Sequence, residues 1–241
     1  MSLGMELDYR LRWMDFDQYG RLQPSSALDI FQDAATIQAE DMGIGRDAMV
    51  SRGVFWAVVR IKLEIVKPPA QCQVVTVRTW PHTPTRFSFL RDFTMRDASG
   101  DLLVKATSEW VLMDIESRSF ASVMDYYDGS TDFDEARAFE KKPRKIARFD
   151  EGNLPVVEIV PRYSDIDVNG HVNNARYANY VIDALDPGEQ GAIKTLQIDY
   201  RHEVLPGVPL AMHTLVEEGR VLSKGVNEQG ETAFACLIET A

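Results

Sequence analysis

Cysteine is scarce in this sequence, since only Cys72 and Cys236 occur among its 241 residues. Two cysteines cannot form the disulfide framework of a small secreted domain, and their number suits a reducing compartment. No apolar run approaches the length of a membrane span, and no basic segment followed by an apolar one opens the chain. We therefore expect a cytoplasmic protein that has no membrane partner and carries no targeting signal.

Positive charge is also in short supply. Lys and Arg number 26 against 37 Asp and Glu, which gives a net charge of −11 and a pI near 4.9. Nucleic acid phosphates require a basic footprint, so nucleic acid is not an expected partner. The single basic run, KKPRKIAR at residues 141–148, follows an acidic stretch. A solvated linker explains this run more simply than a docking site does.

Several catalytic signatures are missing. The sequence contains no G-x-S-x-G nucleophile elbow, no P-loop and no H-E-x-x-H motif. Its four histidines show no metal-ligand spacing with either cysteine. His82, beside prolines, is typical of a loop, and His213 lies in an alternating strand. We expect neither a cofactor nor a bound metal.

One segment is rich in polar chemistry: DIDVNGHVNNAR, residues 165–176. Its first half matches the opening of a calcium-binding loop, which requires a Glu at the twelfth position to close the oxygen shell. That position holds Arg176, a cation, and the approach to the loop is β-branched and interrupted by Pro161 rather than helical. The calcium interpretation therefore fails, and acid–base chemistry becomes the alternative.

The same segment repeats an earlier one. RWMDFDQYGRLQPSSALDIFQDA, from Arg12, aligns without a gap with RYSDIDVNGHVNNARYANYVIDA, from Arg162. An internal repeat predicts two units of the same architecture. The positions of the first copy that are identical in the second are Arg12, Asp15, Asp17, Gly20, Asp33 and Ala34.

Helical signals follow each copy of the repeat. In the first half, Ser26 with Asp29 resembles a capping box, and Gly43 marks a stop. In the second half, Asn173 or Asn174 can cap a helix that ends at the DPG of residues 186–188. The predicted apolar stripes are Leu28, Phe31, Ala34 and Ala35 in the first helix and Ala175, Ala178, Val181, Ile182 and Leu185 in the second.

Strand signals come after each helix. AVVRIKLEI, residues 57–65, alternates strictly, which predicts that Ala57 shares a face with Ile61 while Arg60 points the other way. A lone helix can bury its stripe only against the sheet of its own unit. We therefore predict an α+β protein of two tandem units, at residues 1–128 and 154–241, joined by a linker at residues 129–153.

The two copies differ at informative places. Asn169 and His171 of the second copy stand where the first has Tyr19 and Arg21. The shared aspartates and glycines suit the turn that precedes the helix, and we assign Asp165 to that structural role. Asn169 and His171 precede a helix N-terminus, where backbone N–H groups favour developing negative charge.

DVNGHVNNARYANYVID resembles the D-V-N-x-H-V-N-N motif of the acyl-ACP thioesterases, and LQIDYRHEVLPG is similar to a later segment of that family. In the first half, FWAVVRIKLEIVKPP, VTVRTWP, FLRDFTM and ATSEWVLMD fall in the expected order. The resemblance implies a double hotdog fold, in which each helix is wrapped by an antiparallel sheet. It also implies hydrolysis of the thioester between a fatty acyl chain and the phosphopantetheine of acyl carrier protein (ACP), with a homodimer as a further expectation.

The resemblance assigns roles to four residues: Asp167, Asn169, His171 and Glu203. The family often has Cys after the acid, and here that position holds Val204. A thiolate nucleophile is therefore not available, which favours Glu203 as general base on a water molecule. Asn169 and His171 would orient water or substrate, and Asp167 would fix their geometry. Without the resemblance, a strand-end carboxylate paired with Arg201 would be the simpler assignment for Glu203.

The first half, without the polar pair, would supply the acyl pocket. Its candidate lining residues are Trp56, Trp80, Phe87, Phe89, Phe93 and Trp110, although aromatic residues on alternating strands are more often ordinary core. Three alternatives remain open at this point: a hotdog thioesterase acting on acyl-CoA, a non-catalytic acyl-binding protein and a hotdog dehydratase.

Overall fold

One antiparallel sheet dominates the computed structural model, which describes residues 4–126, 133–186, 188 and 191–240. Three α-helices and three short 3₁₀ helices accompany its eleven strands in the described residues. The elements of the first half are β1 (Met5–Arg10), α1 (Pro24–Asp41), α2 (Arg46–Val50), β2 (Val54–Ile65), β3 (Val74–Pro81), β4 (Phe89–Arg96), β5 (Leu102–Asp114) and β6 (Phe120–Ala121). Those of the second half are β7 (Val156–Ile159), α3 (Arg176–Leu185), β8 (Ile193–Tyr200), β9 (Leu210–Glu217), β10 (Arg220–Val226) and β11 (Thr232–Thr240).

The strand order shows a two-fold pseudo-symmetry. From edge to edge it is β1-β3-β4-β5-β2-β8-β11-β10-β9-β7, with β6 paired to β5. Counted outward from the β2–β8 pair, the two halves place their strands in the same sequence of positions. Each half is therefore an antiparallel sheet carrying one main helix, and the predicted α+β arrangement of two tandem hotdog units is confirmed.

A buried ion pair lies at the centre of this sheet. In the antiparallel pairing of β2 with β8, Arg60 is opposite Asp199. The Nε of Arg60 lies 2.6 Å from the Oδ1 of Asp199, whose residue is only 2% exposed. Asp199 Oδ2 also accepts the backbone N–H of Ile146 at 2.8 Å, and Arg60 bonds Glu109 at 3.2 Å. The two halves and the segment between them therefore meet at one carboxylate.

The helices α1 and α3 pack on one face of the sheet and share a single core that spans both halves. The predicted α1 stripe is buried, and Phe31 stacks on Phe93 with ring centroids 5.0 Å apart. In α3, Ala178 and Val181 are buried, while Ile182 is half-buried. Among the described helices, none has both the length and the apolar character that crossing a membrane would require.

The helix ends differ in part from the prediction. The capping box at Ser26 and Asp29 is wrong, because α1 begins at Pro24 and Ser26 lies within it. Proline suits the first turn of a helix since its missing N–H has no intrahelical partner there. The predicted cap at Asn173 or Asn174 is also wrong, because α3 begins at Arg176 and its N-cap is Ala175, which makes no side-chain cap bond. Asn173 Oδ1 instead accepts the backbone N–H of Ala175 at 2.9 Å in the turn before the helix.

The strict alternation predicted for β2 is also wrong at one position. Val58 pairs with Trp110 and Arg60 with Glu109, so Val59 is an extra residue and forms a β-bulge. A bulge shifts the side-chain alternation by one residue. Ala57 therefore faces the side of the sheet opposite to Ile61, and Trp56 takes the inward position.

The segment that connects the halves packs on the sheet at several points, although most residues of the basic run are exposed, as expected for a solvated linker. The backbone N–H of Ala138 donates to Asp92 Oδ2 at 2.8 Å, and Gln197 Nε2 donates to the carbonyl of Arg144 at 2.7 Å. Ile146, inside the basic run, is 5% exposed and packs with Leu222. The prediction for this run missed these contacts because every partner is distant in sequence. Positions 127–132 of the chain lie outside the described residues.

The central ion pair generates a stability prediction. Arg60→Ala leaves the Asp199 carboxylate buried without its cation, which should lower the free energy of unfolding by about 3 kcal/mol. Urea denaturation measures this loss. The matched control is Lys67→Ala, which removes the exposed Lys67–Asp101 pair of 2.8 Å and should leave the unfolding midpoint nearly unchanged. Equal losses in the two variants would contradict the importance assigned to the β2–β8 junction.

Candidate active site

A tight turn in the second half presents three of the four predicted site residues. The backbone N–H of Asp167 donates to the carbonyl of His171 at 3.1 Å, and that of Gly170 donates to the carbonyl of Asp167 at 3.0 Å. The Asp167 carboxylate accepts the backbone N–H of Asn169 at 2.8 Å. Gly170 has a φ of +83°, a left-handed conformation that glycine adopts without a steric penalty.

The first half contains the same turn. Asp17 bonds the carbonyl of Arg21 at 2.9 Å through its N–H, and its carboxylate accepts the N–H of Tyr19 at 2.9 Å. Gly20 again has a positive φ, +74°. The repeat therefore encodes one backbone structure twice, and each aspartate at this position stabilises its own turn.

Asp165 has the structural role expected from the sequence. Its Oδ2 accepts the backbone N–H of Arg162 at 2.8 Å, and Asp15 accepts that of Arg12 at 2.6 Å in the same way. Both halves make this bond, so it gives no indication of which half contains the reactive site.

The turns differ in what their side chains face. In the first half, Arg21 Nε donates to Asp17 Oδ2 at 2.7 Å, and another guanidinium nitrogen donates to the carbonyl of Gly188 at 2.9 Å. An ion pair thus closes this turn. In the second half, His171 Nε2 lies 3.7 Å from Glu203 Oε1. The imidazole and the carboxylate are both partly exposed to solvent, at 28% and 43% of their side-chain surface.

Glu203 reaches the turn through the segment that follows β8. The backbone N–H of Val172 donates to the carbonyl of Val204 at 2.9 Å, which ties this segment to the turn. The structure therefore brings His171 and Glu203 together. Asp167 is linked to them indirectly, because it accepts the backbone N–H of Asn169, in the same turn as His171. The alternative in which Glu203 pairs with Arg201 is not observed, since its cationic partner is Arg118 at 3.0 Å.

The first half has no acid where Glu203 stands. Val66 and Lys67 both donate to the carbonyl of Leu103, at 2.8 and 3.1 Å. Arg201 and His202 both donate to the carbonyl of Ala233, at 2.9 and 3.0 Å. This shared bonding pattern makes the next residues equivalent, and they are Pro68 and Glu203. The first half therefore lacks the base as well as the amide and the imidazole.

Sequence reasoning missed two arginines of the first half that contact the site. Arg46, at the start of α2, donates through Nε to Asn169 Oδ1 at 3.1 Å. Arg118, in the turn between β5 and β6, donates to Glu203 Oε1 at 3.0 Å. No local pattern reveals these contacts, because the partners are separated by 123 and 85 positions.

A buried tyrosine lies beneath the site. Tyr177, in the first turn of α3, is 3% exposed and packs edge-on against Tyr200 and Phe234. Burial raises the pKa of its phenol, and the nearby carboxylates of Glu203 and Asp167 raise it further. Tyr177 therefore stays protonated and uncharged under the site.

The aromatic residues proposed for an acyl pocket do not form one wall. Phe93 lies in the core under α1, and Trp56 packs against Phe89 with centroids 5.7 Å apart. Trp80 points to the other face of the sheet, where its indole N–H donates to the carbonyl of Ala136 at 2.9 Å. Phe87 is 47% exposed. Only some of the six residues could therefore contact an acyl chain bound in the first half.

The arrangement contains the groups that hydrolysis of an activated carbonyl requires. Glu203 offers a carboxylate that can accept a proton from water. Asn169 and His171 offer hydrogen-bond donors for a developing oxyanion. Within the described part of the chain, no three His, Cys, Asp or Glu side chains are grouped so that they could hold a metal ion.

Comparisons with known proteins agree with this architecture. The acyl-ACP thioesterase N-terminal domain family matches residues 4–128, and the acyl-ACP thioesterase C-terminal domain family matches residues 151–239. The chain is 28% identical over 163 residues to the chloroplastic palmitoyl-acyl carrier protein thioesterase of Arabidopsis thaliana, covering 64% of this chain and 40% of that protein. It is 26% identical over 233 residues to the chloroplastic oleoyl-acyl carrier protein thioesterase of Coriandrum sativum, covering 86% of this chain and 62% of the relative.

The chain spans about half the length of the curated relatives it matches. Among solved structures, the 12:0-ACP thioesterase from Umbellularia californica superimposes with a TM-score of 0.90 at 23% identity, covering 100% of this chain and 98% of that one. An acyl-ACP thioesterase from Bacteroides thetaiotaomicron gives 0.88 at 23% identity, covering 99% and 98% of the two chains. These likenesses establish the fold. Because the two family matches together cover nearly the whole chain, the protein belongs to the acyl-ACP thioesterase family.

Proposed function

We propose that this protein hydrolyses the thioester of fatty acyl-ACP and releases the free fatty acid. The observation that carries the proposal is the approach of His171 Nε2 to Glu203 Oε1, 3.7 Å apart, beside the turn that presents Asn169. The equivalent positions of the first half hold Arg21, Pro68 and Tyr19. One half of the molecule thus contains a complete acid–base set and the other none of it. Membership of the family supplies the substrate class.

The reaction follows from the chemistry of these groups. Glu203 removes a proton from water as the water oxygen bonds to the thioester carbonyl carbon. Asn169 and His171 orient the water and the substrate, and donors at the turn stabilise the oxyanion. Each such donor contributes about 3 kcal/mol in comparable sites. The carbon–sulfur bond then breaks, and the proton held by Glu203 passes to the departing thiolate of phosphopantetheine.

The role of Asp167 is to hold the geometry of the turn. Its carboxylate accepts the N–H of Asn169, so it fixes the backbone from which the amide and the imidazole project. No covalent acyl-enzyme is required, because Val204 follows the base, the thiol of Cys236 is fully buried, and the exposed Cys72 lies between β2 and β3 of the first half. Burial also raises the pKa of the Cys236 thiol, which keeps it protonated.

The organisation of the chain is part of the proposal. Residues 154–241 form the catalytic unit, residues 129–153 connect the halves, and residues 1–128 form the unit that receives the acyl chain. ACP is the partner that delivers the substrate. The scarcity of cysteine supports a cytoplasmic location, and a homodimer is compatible with the fold. An acyl-CoA thioesterase activity is the second candidate, since both substrates present the thioester on phosphopantetheine.

Glu203→Gln tests the base. The amide cannot accept the proton, so hydrolysis should fall by about 10²–10⁴-fold. The measurement is fatty acid release from a panel of acyl-ACPs and matched acyl-CoAs, with Glu218→Gln, an exposed carboxylate in the turn between β9 and β10, as control. Selectivity for acyl-ACP supports the proposed substrate, whereas selectivity for acyl-CoA would replace it. A fully active Glu203→Gln variant would exclude Glu203 as the base.

The internal repeat provides a matched pair of variants, Gly20→Ala and Gly170→Ala. Both glycines have a positive φ; an added Cβ meets nothing within 4 Å at Gly170 and only the side-chain Nε2 of Gln71, at 3.3 Å, at Gly20. Each substitution should therefore cost about 1–2 kcal/mol of stability from backbone strain, with a small added contact at Gly20 that the flexible Gln71 side chain can relieve. Only Gly170→Ala should also lower hydrolysis, because only its turn presents Asn169 and His171. Equal loss of activity in both variants, at equal folded fraction, would contradict the assignment of the site to the second half.

A further inference from the structure

The backbone of Arg118 is in an unusual conformation. Arg118 has a φ of +53° in the turn between β5 and β6. Left-handed backbone is uncommon for residues other than glycine and destabilises the folded state. The turn is well defined, because the Asp114 carboxylate accepts the N–H groups of Glu116 at 3.1 Å and Ser117 at 2.8 Å. A residue other than glycine in such a conformation raises the question of which contacts its side chain makes.

The Arg118 side chain crosses from the first half to the second. Its guanidinium carbon lies 5.2 Å from the centre of the Phe55 ring, a cation–π contact that restricts its position. From there Nη1 donates to Glu203 Oε1 at 3.0 Å. That oxygen is the one that faces His171. An arginine held by the first half therefore binds the proposed base of the second.

Arg46 makes a parallel contact. Its Nε donates to Asn169 Oδ1 at 3.1 Å, and its Nη1 lies 3.0 Å from Asp47 Oδ1. Its own backbone N–H donates to Glu40 Oε1 at 3.1 Å, which anchors the start of α2. A second arginine of the first half thus binds a second member of the site.

Both contacts determine which atoms of the site remain available. In the described part of the chain, Glu203 Oε2 accepts no hydrogen bond and Asn169 Nδ2 donates none. Arg118 occupies one oxygen of the base and leaves the other for water. Arg46 occupies the carbonyl oxygen of the amide and leaves its NH₂ group as a donor. These are the atoms that the proposed reaction uses.

Stability does not account for the Arg118–Glu203 pair. Both side chains are substantially exposed, at 59% and 43%, and ion pairs of this kind contribute little to folding. The left-handed backbone of Arg118 opposes folding. The pair is therefore better explained by what it does at the site.

We propose that Arg118 and Arg46 are positioning residues of the second-half site. Arg118 fixes the carboxylate of Glu203 so that Oε2 faces the attacking water, and Arg46 fixes the amide of Asn169 so that its NH₂ faces the carbonyl oxygen. The first half thereby contributes to the chemistry as well as to acyl binding. This inference rests on the proposed function, because it assigns an orientation to the proposed base.

Arg118→Gly separates positioning from folding. Glycine adopts a φ of +53° freely, so the free energy of unfolding should be unchanged or higher. The turnover number kcat should fall about tenfold or more, because a misplaced catalytic group loses its favourable geometry. The control is Arg96→Gln, at the end of β4, where Arg96 pairs with Leu102 at the start of β5. Arg118 follows the other end of β5, which is 13 residues long and so extends about 40 Å. Arg96→Gln should retain wild-type kcat.

Two substrates distinguish positioning from anion binding. Acyl-ACP carries the phosphate of phosphopantetheine, and an acyl-N-acetylcysteamine thioester does not. A positioning role predicts the same fold loss of kcat on both substrates with little change in KM, and partial rescue of Arg118→Gly by added guanidinium ion. A rise in KM confined to acyl-ACP would overturn the proposal and make Arg118 a phosphate contact. Unchanged kcat on both substrates would overturn it as well.

Double variants complete the test. Arg118→Gly should cause no further loss in a Glu203→Gln background, and Arg46→Ala none in an Asn169→Ala background, because each arginine acts through its partner. Additive losses would contradict this. Absence of hydrolysis by the wild-type protein is a separate result, since it would refute the proposed function before any arginine variant is measured.

Discussion

The pairing of β2 with β8 is the constraint on which the rest of the structure depends. Arg60 and Asp199 form a buried ion pair at one end of this junction, and the connecting segment adds a hydrogen bond to the same aspartate. With the two sheets joined here, α1 and α3 lie on one face over a common core. The same pairing sets α2 and the β5–β6 turn of the first half beside the Asp167–His171 turn of the second. The site is therefore composite, although the proposed reacting groups all come from one half.

The two halves show how one backbone design can serve two purposes. Both turns use an aspartate and a glycine in the same way. In the first half, the Arg21 guanidinium pairs with Asp17, so the charge of that turn is compensated locally. In the second half, the imidazole of His171 faces a carboxylate on a separate segment. The first half has Tyr19, Arg21 and Pro68 where the second half has Asn169, His171 and Glu203. These three side-chain differences distinguish the structural turn of the first half from the candidate reaction centre of the second.

Much of this could be predicted from the sequence, and the rest could not for physical reasons. The repeat predicted two units, and the shared aspartates predicted the turn bonds, because those interactions are local. The β-bulge at Val59 was missed because it depends on the register with β5. The Ser26 cap failed because Pro24 begins the helix earlier. Glu203 required the family resemblance, and Arg46 and Arg118 were missed since their partners lie in the other half. The assignment of the catalytic residues stays a prediction.

We propose that the thioester reacts at the turn of the second half. A crystal structure of the protein with an acyl-pantetheine in which an amide replaces the thioester would test this. We expect the amide carbonyl to lie between Asn169, His171 and Glu203, with a water molecule on Glu203 Oε2 and the acyl chain entering the first half. A carbonyl bound at the Asp17–Arg21 turn, or an acyl chain that avoids the first half, would contradict it.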